Sequence, residues 1–348
     1  MAELLLELLS EEIPARMGAG ATDDLKRLVT DGLKKAGLKY SKAQALVTPR
    51  RLVLVIDGLE KKTLDVIEER RGPRCSAPDK AISGFKGSLP EGAKIEIRET
   101  EKGKFYFAQV EQKGGAVLAL MGGVLLEALS NFFWPRSMRW AGNKIRWVRP
   151  IKSILCLFEG SVVSLNFGPL IAGDTTSGHR FLRPRSFKVK DFADYKAKLE
   201  KAYVILDPLE RRALIKAEAT KLVKKAKLSL KDDPDLLDEV AGLVEWPVVY
   251  MGNIDEGFMD LPDEVLSTTM RKHQKYFSVT DTKGNLAAHF IVVANTETLD
   301  FGKVVVAGNE RVLRARLADA KFFWDQDLKE LLSSRVDALG GRVFHAKL

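Results

Sequence analysis

Residues 51–59 read RLVLVIDGL, and the turn sequence TPRR at 48–51 overlaps this stretch at Arg51. A short run rich in valine and isoleucine that is bounded by turn residues is typical of a buried β-strand. The apolar run at 3–9 is compatible with either a helix or a strand, because its periodicity does not separate the two. The first sixty residues therefore contain at least one predicted strand of the core.

Hairpins and helices follow along the chain. IEIRE and KFYFAQVE alternate around a turn at Gly103, which predicts a hairpin over 94–112. KYFSVTD and AAHFIVVAN predict a second hairpin around 283–285. Because strands and helices do not alternate regularly, we expect an α+β fold with mixed sheets, hairpins and packed helices. The predicted helices lie at 23–36, 115–133, 192–201, 207–227, 235–244, 262–272 and 309–324. AYVIL at 202–206 predicts a further strand.

Length and pattern predict the domain organisation. At roughly 150 residues per domain, 348 residues correspond to about two domains. The pattern changes near Asp191, so we expect an N-terminal α/β lobe at 1–190 and a second α/β lobe at 191–325. The final letters, GGRVFHAKL, include no helix stop or polar tail. We expect 326–348 to begin a following domain that is truncated, and the alternative is a frayed natural terminus.

Composition excludes several classes of protein. A hydrophobic content of 45% excludes wholesale disorder. Cys75 and Cys156 are far apart, so neither a disulfide scaffold nor a cysteine-based zinc site is expected. The N-terminus lacks the basic start of a secretory signal, and the apolar run at 114–126 is too short to cross a membrane. We therefore expect a cytoplasmic protein without a membrane partner.

Positive charge is concentrated in one stretch. The chain has 56 Lys and Arg against 47 Asp and Glu, a net charge of +9. Residues 134–190 contain eleven basic and two acidic residues, which accounts for the whole surplus. Such a field attracts polyanions, of which nucleic acid is the commonest in a cytosol. A solvated basic surface without a ligand is the alternative.

Two motifs within this stretch combine cations with rings. In 134–150, WPRSMRW and NKIRWVRP interleave three tryptophans with four arginines. Guanidinium groups bind phosphate and indoles stack on bases, but the tryptophans could equally be core residues covered by the arginines. In SGHRFLRPR at 177–185, His179 could be a general base, a phosphate or ribose contact, or a structural residue.

A third motif, MRKHQKYF at 270–277, carries cations near the end of a predicted helix. They either offset the helix dipole or face a ligand or an RNA end. Phosphate-binding loops, HExxH, GxSxG and metal-ligand spacing are all missing from the sequence, so we predict neither a catalytic residue nor a metal site. A small-molecule enzyme using His179 or His273 would need a nucleophile or cofactor loop beside them.

The motifs together resemble one family, the β subunit of the bacterial heterotetrameric glycyl-tRNA synthetase. They occur in family order along the whole chain, and this colinearity makes chance similarity implausible. The matching pieces are EEIP at 11–14, TPRRL at 48–52, RGP at 71–73, SMRW at 137–140, VRPI at 148–151, GHRF at 178–181, LVEWPVV at 243–249, KHQKYFSV at 272–279, and GNE at 308–310 followed by RLADAKFFWD at 316–325.

The resemblance implies an activity and partners. The family joins glycine to tRNA(Gly) with ATP, in an α2β2 assembly whose class II catalytic core lies on the α subunit. The β subunit supplies tRNA binding, so ATP and Mg are used by the whole enzyme and no cofactor is expected on this chain. The resemblance also implies a fold like the B3/B4 module of other synthetases, in two lobes.

We expect RNA contacts from the basic stretch and from the third motif. A purely structural or subunit-interface module without RNA contact is the alternative. The predicted RNA-binding residues are Arg136, Arg139, Lys144, Arg146, Arg149, His179, Arg180, Arg183, Arg185, Lys272 and His273.

Overall fold

A computed structural model describes residues 2–63, 65–101, 103–112, 114–140 and 142–342. His345 and the rest of the predicted final segment beyond 342 lie outside the described residues. The strands, in chain order, are β1 (Ala2–Ser10), β2 (Lys42–Val47), β3 (Arg51–Leu59), β4 (Val66–Arg74), β5 (Lys94–Thr100), β6 (Gly103–Gln112), β7 (Ile151–Phe158), β8 (Ser161–Val162), β9 (Asn166–Phe167), β10 (Leu170–Gly173), β11 (Thr175–Ser177), β12 (Ser186–Lys188), β13 (Ser229–Leu230), β14 (Val248–Asn253), β15 (Phe277–Thr280) and β16 (Leu286–Ala294).

Helices separate and cover these strands. Asp191, Asp207 and Asp233 each accept a hydrogen bond from a backbone N–H of the first turn that follows, which fixes three of the helix starts. The helices are α1 (Ala15–Lys35), α2 (Asp79–Gly87), α3 (Val117–Ser130), α4 (Phe192–Lys201), α5 (Pro208–Lys225), α6 (Pro234–Ala241), α7 (Asp263–Thr268), α8 (Lys303–Asp327) and α9 (Val336–Leu339), with 3-10 turns at Glu256–Phe258 and Leu332–Arg335 and a π-helix at Thr269–Gln274.

The main sheet is built on β1, which pairs antiparallel with both β3 and β7. Its strand order is β2-β3-β1-β7-β10-β9, and β8 pairs with β7. Leucines, valines and isoleucines fill β1 and β3 almost continuously because both faces of these strands are covered. The run at 3–9 is thus a strand, and the strand predicted at 51–59 is confirmed.

Helices cover both faces of this sheet. On one face α1 and α3 pack against the even-numbered leucines of β1. On the other face α4 packs through Tyr195 and Leu199 against Leu5, Val53 and Leu155. Helix α4 comes after residue 190 in the sequence, yet it packs on the sheet of the predicted first lobe. The predicted lobe boundaries at 190 and 325 stay predictions.

A four-stranded sheet, in the order β13-β15-β16-β14, organises the second half. Helices α5 and α6 cover one face, and α8 with the π-helix covers the other. The hairpin of β15 and β16 was predicted and is confirmed. A third sheet, β4-β6-β5, lies beside α2 and contains the hairpin predicted at 94–112. The predicted α+β class is confirmed, and the likeness to a B3/B4 module stays a prediction.

The strand predicted for AYVIL at 202–206 is wrong. Val204 and Leu206 are buried as the pattern suggested, but no strand of the described part pairs with them. Tyr203 has a left-handed backbone with φ of 61°, which breaks the extended conformation. The Ile205 N–H instead donates to the carbonyl of Glu245, so this segment links the two halves of the chain.

Arg51 joins those halves from within. Its side chain is completely buried, and its guanidinium lies 3.1 Å from Glu7 on β1 and 3.0 Å from Glu245, just before β14. It also donates to the carbonyls of Ser177 and Gly178 at 2.8 and 3.1 Å. Burial opposes the charged form of Arg51, but Glu245 and Glu7 outweigh burial and raise its pKa.

A second buried arginine bridges the same junction. Arg211 on α5 donates to the carbonyls of Ala241, Ile205 and Leu206, and to that of Val47 on β2 at 2.9 Å. Burial lowers the pKa of Arg211 to about 10, so it keeps its charge at neutral pH. None of the helices in the described part of the chain is long and apolar enough to cross a bilayer.

We expect Arg51→Met to lower the free energy of unfolding by about 3–5 kcal/mol, because two buried carboxylates would lose their counter-charge. Urea denaturation of the chain at pH 7 measures this loss. Arg27→Met is the control, because Arg27 pairs with Asp24 on the exposed face of α1. Its midpoint should stay at the value of the parent chain. A similarly small effect for Arg51→Met would contradict the assigned role.

Candidate nucleic-acid interface

The first basic motif forms a loop between α3 and β7. Met138 and Trp147 exchange backbone hydrogen bonds, with N···O distances of 2.8 and 3.2 Å. The Asn143 side chain closes the turn between them by donating to the Trp140 carbonyl at 2.7 Å and accepting from the Ile145 N–H at 2.8 Å. The loop is therefore held by its own hydrogen bonds.

Buried rings support this loop from below. The ring centroids of Phe132, Trp134 and Trp147 lie 4.9–5.2 Å apart, and Phe167 on β9 lies 5.9 Å from Trp147. Trp134 and Trp147 are core residues, which was one of the two predicted alternatives. Aromatic pairs at this spacing stabilise each other beyond their buried area. The rings fix the base from which the basic side chains project.

Most cations of the stretch 134–190 have no ion-pair partner among the described residues. Three of the eleven form ion pairs: Lys152 with Glu11, Arg180 with Glu12, and Lys188 with Asp174. The other eight are exposed and have no carboxylate within 4.0 Å among the described residues. They are Arg136, Arg139, Lys144, Arg146, Arg149, Arg183, Arg185 and Lys190.

These arginines do not cover the tryptophans either. The cation–π contacts found among the described residues involve Phe105, Tyr106, Phe107 and Phe181, and neither Trp134 nor Trp147. The alternative in which the loop arginines shield these two rings is therefore not observed. An exposed guanidinium that has neither an acid nor a ring as partner is free to bind phosphate.

The second motif folds tightly against the end of α4. A Cβ on Gly178 would lie 2.5 Å from the Arg183 carbonyl and 2.6 Å from the Ala202 side chain, so this close approach requires glycine. The His179 N–H donates to the Ala202 carbonyl at 2.9 Å. Downstream of this turn, Arg185 and the half-exposed Arg180 reach the surface, as does Arg183.

His179 itself is fully buried. Its Nδ1 accepts from the backbone N–H groups of Phe181 and Leu182 at 3.4 and 3.3 Å, and its Nε2 has no partner among the described residues. The structure thus places the predicted RNA contact His179 in the interior, where its ring is not part of the surface. Burial lowers the pKa of His179; Glu245 and Asn295 oppose that shift, and the charges of Arg51 and Arg50 add to it.

Glu11 lies where the two basic motifs meet and contacts residues at both. Its carboxylate lies 2.7 Å from Lys152, 3.7 Å from Arg50 and 3.8 Å from Arg180. Its backbone N–H donates to the Pro150 carbonyl at 3.0 Å. The segments 11–14, 48–52, 148–151 and 178–181, which are distant in sequence, therefore meet at one place. The sequence contained each motif but no signal that they would be adjacent.

The third motif lies elsewhere, beside α6. Arg271 bonds to Asp233 at 2.6 Å, and Lys275 bonds to Glu239 at 2.9 Å. Lys272 and His273 are exposed in the π-helix, near its C-terminal end. Offset of the helix dipole is a sufficient role for these cations. Their bonds give no connection to the motifs around Glu11.

Sequence reasoning missed Phe133, whose side chain is 74% exposed between two buried aromatic residues. Its neighbours Phe132 and Trp134 face inward, and only the backbone geometry of the loop turns Phe133 outward. Among the residues that the structure describes, no group of three or more His, Cys, Asp and Glu side chains could hold a metal ion.

We expect the stability of the chain to fall as the pH is lowered from 7.5 to 5. A histidine whose pKa is depressed by folding binds its proton more readily when unfolded, so its stabilising effect is present above about pH 6.5 and is lost below it. His179→Gln should reduce this fall, by at most about 1.4 kcal/mol per pH unit. Urea denaturation across this pH range measures it.

His273→Gln is the matched control, since His273 is exposed. Its unfolding should follow the pH dependence of the parent chain. An unchanged pH dependence in His179→Gln would show that the buried ring does not contribute.

Comparison with known proteins identifies the family. Residues 4–348 match the family model described as glycyl-tRNA synthetase beta subunit. The chain is 50% identical to the glycine--tRNA ligase beta subunit of Rhodospirillum centenum, with 100% of this chain and 52% of that protein aligned. It is 52% identical to the protein of the same name from Ruegeria sp., with the same two coverages.

A third relative, the glycine--tRNA ligase beta subunit of Dinoroseobacter shibae, is 50% identical, with 100% of this chain and 49% of that protein aligned. The chain spans about half the length of these curated relatives. The resemblance inferred from the motifs is confirmed. A family model that matches nearly every residue, together with identity near 50% across the whole chain, shows that the chain belongs to the family of glycyl-tRNA synthetase beta subunits.

Proposed function

We propose that this chain is the part of a glycine–tRNA ligase β subunit that helps to hold tRNA(Gly), while glycine is activated on a separate α subunit. The relatives are named as beta subunits of a glycine--tRNA ligase, which supports an α subunit as partner. On this proposal the assembly is an α2β2 tetramer in the cytoplasm. ATP and Mg are then used by the assembled enzyme, and this chain holds no cofactor.

The set of unpaired cations supports the RNA contact most directly. Eight exposed basic side chains in 134–190 lack a carboxylate partner within the described part of the chain. Leaving such charges unneutralised is unfavourable for folding, because like charges repel each other in the compact state. Phosphates of a bound RNA would neutralise them and release counterions. Their role is to position the RNA, since phosphate contacts carry no sequence information.

The predicted RNA-binding residues fall into four groups on this basis. Arg136, Arg139, Lys144, Arg146, Arg149, Arg183 and Arg185 form the proposed interface. Arg180 already binds Glu12, so its contribution would be smaller. His179 is buried and is left out, whereas Lys272 and His273 are exposed but lie beside α6.

A subunit-interface module is the second candidate. Val312, Phe322 and Phe323 on α8 are exposed apolar side chains, and clusters of such residues often mark contacts between proteins. Loss of α-subunit association in a variant of α8 that keeps its RNA affinity would favour this candidate.

Replacing Arg136, Arg139 and Arg149 by alanine in the complete α2β2 enzyme should weaken binding of tRNA(Gly). Each lost phosphate contact should reduce the slope of log affinity against log salt by about 0.7–0.9. Titrations at several salt concentrations measure both quantities. The matched control replaces Lys152, Arg180 and Lys188, the ion-paired cations of the same stretch, and should change both quantities less. Unchanged affinity and slope in the first variant would remove the proposed RNA role.

The division of labour between subunits has its own test. The chain alone should not catalyse glycine-dependent exchange of pyrophosphate into ATP, because the bond-forming site is assigned to the α subunit. Measured with labelled pyrophosphate, exchange by the chain alone would place that chemistry here and overturn the assignment. Purified α subunit is the positive control.

A further inference from the structure

A cavity of about 680 Å³ opens beside the basic loop, at the C-terminal end of α3. This volume lies within the range of about 300–1,000 Å³ that is typical of small-ligand sites. It is bounded by the end of α3, by residues on both sides of the Met138–Trp147 bridge, and by Phe167 on β9. The proposed function does not require this cavity.

Aromatic rings form the inner wall of this cavity. Phe132, Trp134 and Phe167 line it and are held by the buried ring cluster. Phe133 also lines it, but its side chain is mostly exposed, so one ring remains available for stacking. The wall is rigid because the three buried rings belong to a packed aromatic cluster. Phe133, by contrast, has no ring partner among the described residues.

The opposite wall is positively charged. Lys144 and Arg146 line the cavity, are exposed, and make no ion pair in the described part of the chain. Ile145 between them fills the space where a side chain on Gly168 would stand: a Cβ there would lie 2.2 Å from Ile145 Cδ1. Lys144 and Arg146 therefore flank a residue that packs closely over Gly168. Ser130 and Ser137 add hydroxyl groups, and no acidic residue is among the described residues that line it.

We propose that this cavity binds one unstacked nucleotide of a single-stranded RNA segment, with its base on Phe133 and its phosphate at Lys144 and Arg146. Every base has a face that stacks on an aromatic ring, and lysine and arginine neutralise the phosphate. The two hydroxyl groups supply hydrogen-bond partners for a base edge. The inference rests on the proposed function, since it assigns a specific site within the RNA-facing surface.

The charge of the cavity favours a nucleotide over a protein segment. Two cations without a carboxylate select an anion, and the flat aromatic wall selects a planar group. A nucleotide has both properties in one residue. Docking of an apolar protein segment would leave both cations without a counter-charge, which is unfavourable when they become desolvated.

The test measures binding of a fluorescent six-nucleotide single-stranded RNA to the chain by anisotropy. Phe133→Ala should weaken binding between about 5-fold and 150-fold, the range expected for loss of one base–aromatic stack. The salt slope should not change, because no charge is removed. Phe133 is mostly exposed, so the variant should unfold at the same temperature as the parent chain, which circular dichroism checks. Phe323→Ala on α8 is the matched control, as its side chain is also exposed.

Two further arms separate this inference from the proposed function. Lys144→Ala with Arg146→Ala should weaken binding and also lower the salt slope. If only the cation variants reduce RNA binding, the RNA role stands and the nucleotide site is overturned. If no variant reduces it, the nucleotide site is overturned, and the tRNA(Gly) titration with Arg136, Arg139 and Arg149 replaced decides the RNA role. Binding of AMP tests whether a free nucleotide is the ligand. If AMP binds in a Phe133-dependent way and the RNA does not bind, the site does not take a nucleotide of single-stranded RNA, and the inference is overturned. Loss of α-subunit association alone in Phe133→Ala would also overturn it.

Discussion

Arg51 holds a positive charge at a position where none of its side chain reaches water. Moving a charge out of water is costly, and only well-placed counter-charges and hydrogen bonds offset that cost. Glu7 comes from the central strand of the first sheet, and Glu245 comes from the loop before the second sheet. Both halves of the protein must therefore adopt one relative position, because a shift would leave three buried charges unbalanced. Arg211 reinforces this junction with bonds to four backbone carbonyls.

The same junction determines which surface cations are already neutralised. With β1 and β3 fixed, Glu11 and Glu12 emerge beside Lys152 and Arg180 and pair with them. Glu11 and Glu12 thus form ion pairs with Lys152 and Arg180. Neither acid forms an ion pair with a basic side chain of the loop at 136–149. The unpaired charge on which the proposed RNA contact rests therefore lies in the part of the stretch that these acids do not reach.

Aromatic packing gives the loop its shape, and the loop gives the cations their positions. Phe132, Trp134, Trp147 and Phe167 form one cluster, so the residues between them cannot collapse onto the core. Because the backbone that carries these basic side chains is already ordered, it loses little conformational entropy when they bind a ligand. Burying the tryptophans and exposing the arginines are thus two results of one arrangement, although the sequence offered them as competing interpretations.

The sequence by itself determined the mixed α/β character, both hairpins, several helices and the family, because these depend on local periodicity, turn residues and colinear motifs. It failed for 202–206, where burial without a pairing strand imitates a β-strand pattern. Only the tertiary structure decided that His179 lies in the interior, that Arg180 is paired while Arg183 is not, and that Phe133 faces outward. Each of these depends on which distant segment lies alongside, and a local pattern carries no information about that neighbour.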